Sequence, residues 1–311
     1  MTGLRRRGCL PAGALAVAFA LAMWLCRRWR CRVRRDALGE GSTNVPSWAY
    51  RQPDPMIYSQ TYLQGLGYAV TWDNPDITVE HEGVPVDQHD LAPDTRYDVL
   101  ARIWNGSTSG PAADLPVHVS YLDFGIGTVS VPVGSTTVDL PVKGAPGCPV
   151  TARVPWTTPA APGHYCLQIL LDWSDDAEPA NNLGQSNTDV KPLNSPRATF
   201  RFPLRNDAPR ERTMQLRVDA YEIPPPLPCD DRPDDRGQIR RRHDPDAYPV
   251  PEGWSIELSP REAHLRSGEM TEVTVEVTAV EEFTGRQTFN VHAFEGDNVL
   301  GGVTLSVEGT G

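Results

Sequence analysis

Apolar and polar residues alternate with a period of two through most of the chain beyond Ile77. In "RYDVLARIW" the residues Tyr97, Val99, Ala101 and Ile103 fall on one face, and in "LPVHVSYLDF" Val117, Val119 and Tyr121 do the same. The pattern continues through Val150, Ala152, Val154 and Trp156, then through Tyr165, Leu167, Ile169, Leu171 and Trp173. Between these two runs "TTPAAPG" suits a connection between antiparallel neighbours. After the polar stretch "NNLGQSNTDVKPLNSPR" the alternation restarts with Phe200, Phe202 and Leu204, then Met214, Leu216, Val218 and Ala220. "WSIELSP", "EVTVEVTAV", "QTFNVHAFEG" and "GGVTLSVEG" follow at the spacing of an all-β domain. The pattern predicts an all-β body of two β-sandwiches, at 71–190 and 198–311, joined by a linker at 191–197.

Two segments depart from this order. Residues 36–70 lack sustained periodicity and read as a stalk, or as an arm lying across the next domain with Trp48, Tyr50, Tyr58 and Tyr62 as packing anchors. Residues 223–253 are rich in proline and in both signs of charge, with too few apolar residues for a core, and predict a loop inserted between two strands.

Composition adds an anchor and removes nucleic acid. The run from Gly8 to Cys26 carries no charge and is long enough to cross a bilayer as one transmembrane helix. Three arginines precede it, six follow, and no small-x-small cleavage site closes it. These features predict a single-pass membrane protein, unless the Arg-rich leader lies upstream of the true start. Removing those nine arginines from the 29 bases leaves 20 against 40 acids, a net of −20 for the remainder. A body so acidic is repelled by phosphate backbones, so no nucleic-acid partner is expected. The excess of arginines after the span favours a cytoplasmic body, although long domains override so small a bias.

With these residues in view, 71–189 resembles the CARDB family, bacterial immunoglobulin-like modules related to cell adhesion. The matching features are "NPDITV", "YDVLARIWNGS", "GHYCLQILLD" and "EPANNLGQSNTDV". On "WSIELSP" and the strands after it, the second domain resembles fibronectin-type or NEW3-type sandwiches. The resemblance implies an extracellular body that binds a protein partner or a surface glycan. For a body outside the cell, Cys148 with Cys166 is the expected disulfide, against free, partly buried thiols as the alternative. In a hairpin centred on "TTPAAPG", Cys166 faces the neighbourhood of Val154 rather than Cys148, which counts against the pairing.

Candidate chemistry is sparse. Asp73 and Asp76 flank Asn74-Pro75, which favours a turn into the first strand over a polar ligand site. Asp172, Asp175, Asp176 and Glu178 offer hard oxygens for calcium, yet lack the spacing of an EF-hand loop and read as a solvated turn. His81 and His89 lack the compact ligand set that zinc prefers. Asn105 opens an "NGS" glycosylation pattern, and His292 stands either in a ligand groove or as an ordinary strand histidine. "GIG" at 125–127 and "GG" at 301–302 lie among strands and read as turns or bulges. No nucleophile elbow appears, so no catalytic residue, metal or cofactor is assigned. The expectation is a membrane-anchored, non-catalytic binding or scaffold protein. The alternatives are an accessory carbohydrate-binding component, which would expose a row of tryptophans, and a hydrolase with a noncontiguous site.

Overall fold

Among the described residues, period-two burial is realised as seventeen strands in four sheets. The computed structural model describes residues 52–161, 164–192, 197–223 and 248–310. The Arg-flanked apolar run, the arm up to residue 51, Cys229 and most of the Pro-rich insertion lie outside the described residues. Among the described residues no helix is long and apolar enough to cross a membrane.

In the first sandwich, one sheet is built on β4 (Arg96–Asn105). It pairs antiparallel with β2 (Ile77–His81), with β1 (Pro55–Met56) and with β7 (Val150–Thr157), while β3 (Val84–Val86) extends β2. The register sets Val99 opposite both Val79 and Val154, so one face of three strands is apolar. The facing sheet runs β6 (Ser130–Leu140), β5 (Ala112–Asp123), β8 (Tyr165–Leu171), β9 (Leu183–Ser186). Between the sheets lie Ile103, Leu115, Val117, Leu167 and Ile169, all buried. Each such side chain contributes about 1.5–3 kcal/mol by leaving water.

The second sandwich pairs a three-stranded sheet, β11 (Arg197–Arg205), β15 (Met270–Ala279), β13 (Trp254–Ser259), with a five-stranded one. The latter runs β10 (Thr188–Pro192), β17 (Asn298–Thr310), β16 (Thr284–Glu295), β12 (Arg212–Asp219), β14 (Glu262–Leu265). Phe200 and Phe202 stand opposite Val275 and Val273, and all four are buried against Phe289 and Leu305.

Three features add to the sequence expectation. The stretch 191–197 is not simply a linker: β10 runs through its start, pairing parallel with β17, and β11 begins at its end. The chain therefore leaves the first sandwich at Ser186 and enters a sheet of the second at Thr188, with one residue between them. The described part of the arm is ordered, because Pro55–Met56 extends a sheet, Ile57 enters the first core, and Gln60–Gly65 forms the helix α1. Finally, β6 pairs along β5 although its run "SVPVGSTTVDL" shows little apolar contrast.

Candidate functional site

The place where distant polar side chains meet is the joint between the sandwiches. An apolar plug forms its base: Leu122, Phe124, Ile126 and Cys166, from the end of the first sandwich, pack into the core of the second. Ile126 adds itself beside β11 as an isolated parallel bridge, its N–H donating to Pro203 O at 2.9 Å while its carbonyl accepts from Arg205 N–H at 2.9 Å. The "GIG" turn thus serves as a tongue. Gly127 has φ +72°, and a Cβ there would strike the Arg205 carbonyl.

Asn187, the single residue between β9 and β10, ties the two halves. Its N–H donates to Trp72 O at 2.7 Å, and its carbonyl accepts from Thr304 N–H at 2.8 Å. Its side-chain amide donates to Gly125 O in the first sandwich and Gly302 O in the second, both at 2.7 Å. Its remaining oxygen accepts from the Cys166 thiol. Every donor and acceptor of this buried residue is therefore satisfied, as a dry interior requires.

Trp72 crosses the joint from the first-sandwich side. Its indole lies over Gly302 so closely that any Cβ there would collide with the ring and with Val291 O. The indole N–H donates to His292 Nδ1 at 3.1 Å, and the Gln64 amide nitrogen reaches the same ring nitrogen at 3.1 Å. An indole N–H is only a donor, so Nδ1 must be unprotonated and Nε2 must carry the hydrogen. Nε2 accordingly donates to Asp219 Oδ2 at 2.9 Å. The other carboxylate oxygen accepts from Asn290 Nδ2 at 2.8 Å and from Tyr221 N–H at 3.0 Å. Asn290 in turn accepts from Thr304, whose hydroxyl also accepts from Trp72 N–H at 2.7 Å. Burial alone would raise the Asp219 carboxyl, but the hydrogen bonds it accepts from His292, Asn290 and Tyr221 hold it below its ordinary value.

This Asp–His–Trp chain looks like catalytic hardware and is built as a fastener. The side chains of Asp219 and His292 are 5% and 3% exposed, and the nitrogen that a general base would need is occupied by the indole. His292 is thus a satisfied strand residue of β16 rather than the lining of an open groove.

The other residues singled out by sequence are dispersed. Asp76, buried, accepts from Tyr58 N–H at 2.9 Å, Arg102 Nε at 2.8 Å and Trp104 Nε1 at 3.0 Å, pinning the arm to the first sheet. Asn74 accepts from Asp76 N–H and donates to Tyr58 O, which makes "DNPD" the turn that admits the chain to β2. His81 donates Nδ1–H to Arg96 O at 2.9 Å beside the Tyr97 ring; the His89 side chain lies outside the described residues. Asn105 of the "NGS" pattern is buried, with its amide nitrogen donating to Gly110 O and Pro141 O, so it is closed to a glycosylating enzyme in the folded chain.

Cys148 and Cys166, the expected disulfide pair, are both free thiols. The register explains why: Cys166 stands opposite Leu122 and points into the joint, whereas Cys148 packs against the first core from the loop before β7. Burial pushes the Cys166 thiol well up. Among the described residues no three His, Cys, Asp or Glu side chains converge to hold a metal by themselves.

Among the described residues the tryptophans form no platform. Trp72 and Trp156 are buried, Trp173 and Trp254 are half-buried against the two cores, and Trp104, 38% exposed, is tied to Asp76. No sequence signal links Trp72, Asn187 and His292, since the chain brings them together from 115 and 105 residues apart; only an odd Gly-Gly within a strand hinted that something lies close.

No family model matches the chain, and no curated protein matches it. Solved structures match it at low similarity. A chaperone–tip adhesion subunit complex of archaic Csu pili from Acinetobacter baumannii is 15% identical over 40% of this chain and 54% of that one, at a TM-score of 0.24. A PapD-like domain of human CEP192 is 12% identical, covering 39% of this chain and 80% of that one, at 0.24. The collagen adhesin of S. aureus is 8% identical, covering 75% and 92%, at 0.19. This chain spans about half the length of the first of these. Likeness of this degree carries no argument about what the chain binds.

Proposed function

We propose that the chain is a non-catalytic binding or scaffold protein, held at a membrane by its Arg-flanked segment 8–26 and recognising a protein partner through the edges and loops of a rigid double sandwich. The observation that carries this reading is the sealed Asp219–His292 pair: the shortest and most deeply buried of the His–carboxylate pairs among the described residues is spent on joining two modules. The adhesion-type role rests on the resemblance of 71–189 to CARDB modules and is compatible with a body outside the cell. The carbohydrate alternative loses its motive because the described tryptophans form no exposed row.

The test uses the full-length chain in cells, with photo-crosslinking side chains at Val84 and Val280, both well exposed. The expected result is a membrane-bound chain that crosslinks a discrete protein partner. Turnover of a hydrolase substrate that His292→Gln abolishes without unfolding the chain would overturn the reading, as would recovery of the full-length chain free of membranes.

A further inference from the structure

Where the arm crosses the loop after β8, carboxylates gather beside two buried amide oxygens that have no donor. Asp54 accepts from Asn181 Nδ2 at 3.0 Å through Oδ1, and Asp176 accepts from Asn182 Nδ2 at 2.7 Å through Oδ2. Ala177 N–H donates to Pro53 O at 3.0 Å and Gln52 reaches Asp175 at 2.9 Å, so arm and loop are stitched side by side. Asn181 and Asn182 are 3% and 5% exposed, yet both amide oxygens are buried without a hydrogen-bond partner. Rotating either amide does not help, because it would turn an oxygen onto a carboxylate. Two buried, unpartnered carbonyl oxygens thus belong to the two planar amides whose nitrogens already touch the acids.

The electrostatics agree. Burial first, and then Glu178, push the Asp54 carboxyl up, while the Asn181 hydrogen bond and Lys143 act the other way. Burial, Asp54 and Glu178 also raise Asp176, against its hydrogen bonds from Glu178 N–H and Asn182. Burial and then Glu178 and Asp54 raise the nearby Tyr62 phenol of α1. An unpartnered buried acceptor costs about 1–3 kcal/mol, and like charges add to that.

We propose that Asp54, Asp176 and the amide oxygens of Asn181 and Asn182, with Glu178 at the rim, form a binding site for a hard divalent cation of the calcium type, clamping the arm to the first sandwich. Calcium accepts mixed sets of carboxylate, amide and water oxygens, which suits a site holding too few acids for a carboxylate cage. The sequence spacing of 172–178 did not reveal it, because one of its acids comes from the arm, more than a hundred residues earlier.

Terbium luminescence of the full-length chain in detergent tests this, with excitation through the aromatic residues near the site, Tyr62 among them. The expected result is a terbium signal that calcium chloride competes away, with calcium affinity on the order of 0.1–1 mM, as in extracellular modules. Asp54→Asn should weaken binding at least about tenfold while leaving circular dichroism and the melting temperature in EDTA intact. Absence of any terbium or calcium effect would overturn the proposal and leave the amide oxygens to ordinary water. A signal that survives Asp54→Asn combined with Asp176→Asn would overturn it too, since the cation would then bind elsewhere.

Discussion

The indole N–H of Trp72 donates to Nδ1 of His292 across the joint, at 3.1 Å, and thereby fixes which nitrogen of the imidazole bears its proton. A residue of the segment between α1 and β2 in one sandwich therefore sets the protonation geometry of a strand in the other. Trp72→Phe keeps much of the ring's volume and removes that donor. The expected loss is about 2 kcal/mol, combining an unmade buried hydrogen bond with the smaller ring, read from urea unfolding as a lower midpoint with an unchanged slope. An unchanged midpoint would mean the contact contributes nothing.

Asn187→Asp is nearly isosteric but cannot donate. The carbonyls of Gly125 and Gly302 lose their partner and face a carboxylate instead. The expected cost is about 3 kcal/mol or more, and urea unfolding at neutral pH measures it. A substitution at the exposed Ser135 should cost less than about 0.5 kcal/mol and serves as the control.

Asp219 supplies a pH signature. Its folded-state value lies below the ordinary 3.8, so its contribution to stability is present above that value and is lost as pH falls through the depressed one. Asp219→Asn, which cannot titrate, should be clearly less stable than the native chain at pH 7, with the gap closing below about pH 3.8. Melting temperatures of the pair from pH 7 down to pH 2 test this, and a constant gap would refute it.

The cysteines respond to their settings. Under native conditions Cys148 should react with a small alkylating reagent and Cys166 should not, until denaturant exposes it. Peptide mass spectrometry separates the two sites. A Cys148–Cys166 crosslink in the non-reduced protein would contradict the structure.

Much of the fold was legible because burial repeats at the spacing of the backbone. Val99, Ala101 and Ile103 alternate inward in β4 as the pattern requires, and Phe200, Phe202 and Leu204 do so in β11. The edge strand β6 escaped notice because an edge buries little and so shows little contrast; its residues are mostly exposed on both faces. The change of sandwich at Asn187 was hidden for a different reason. A polar "GQSNTDV" resembles a linker when its partners are unknown, yet Asn187 and Thr188 are buried because Gly125, Gly302 and Thr304 receive them. His292 illustrates the same limit: alternation places it on a strand, and only tertiary contact shows that its ring faces Asp219 and Trp72 rather than a ligand.

The central claim is that this joint makes the two sandwiches one rigid body. Double electron–electron resonance between spin labels, introduced as unnatural side chains at the exposed Val84 of the first sandwich and Val280 of the second, measures it directly. A single narrow distance distribution that broadens in Asn187→Asp is the predicted result. A broad or two-peaked distribution in the native chain would contradict it.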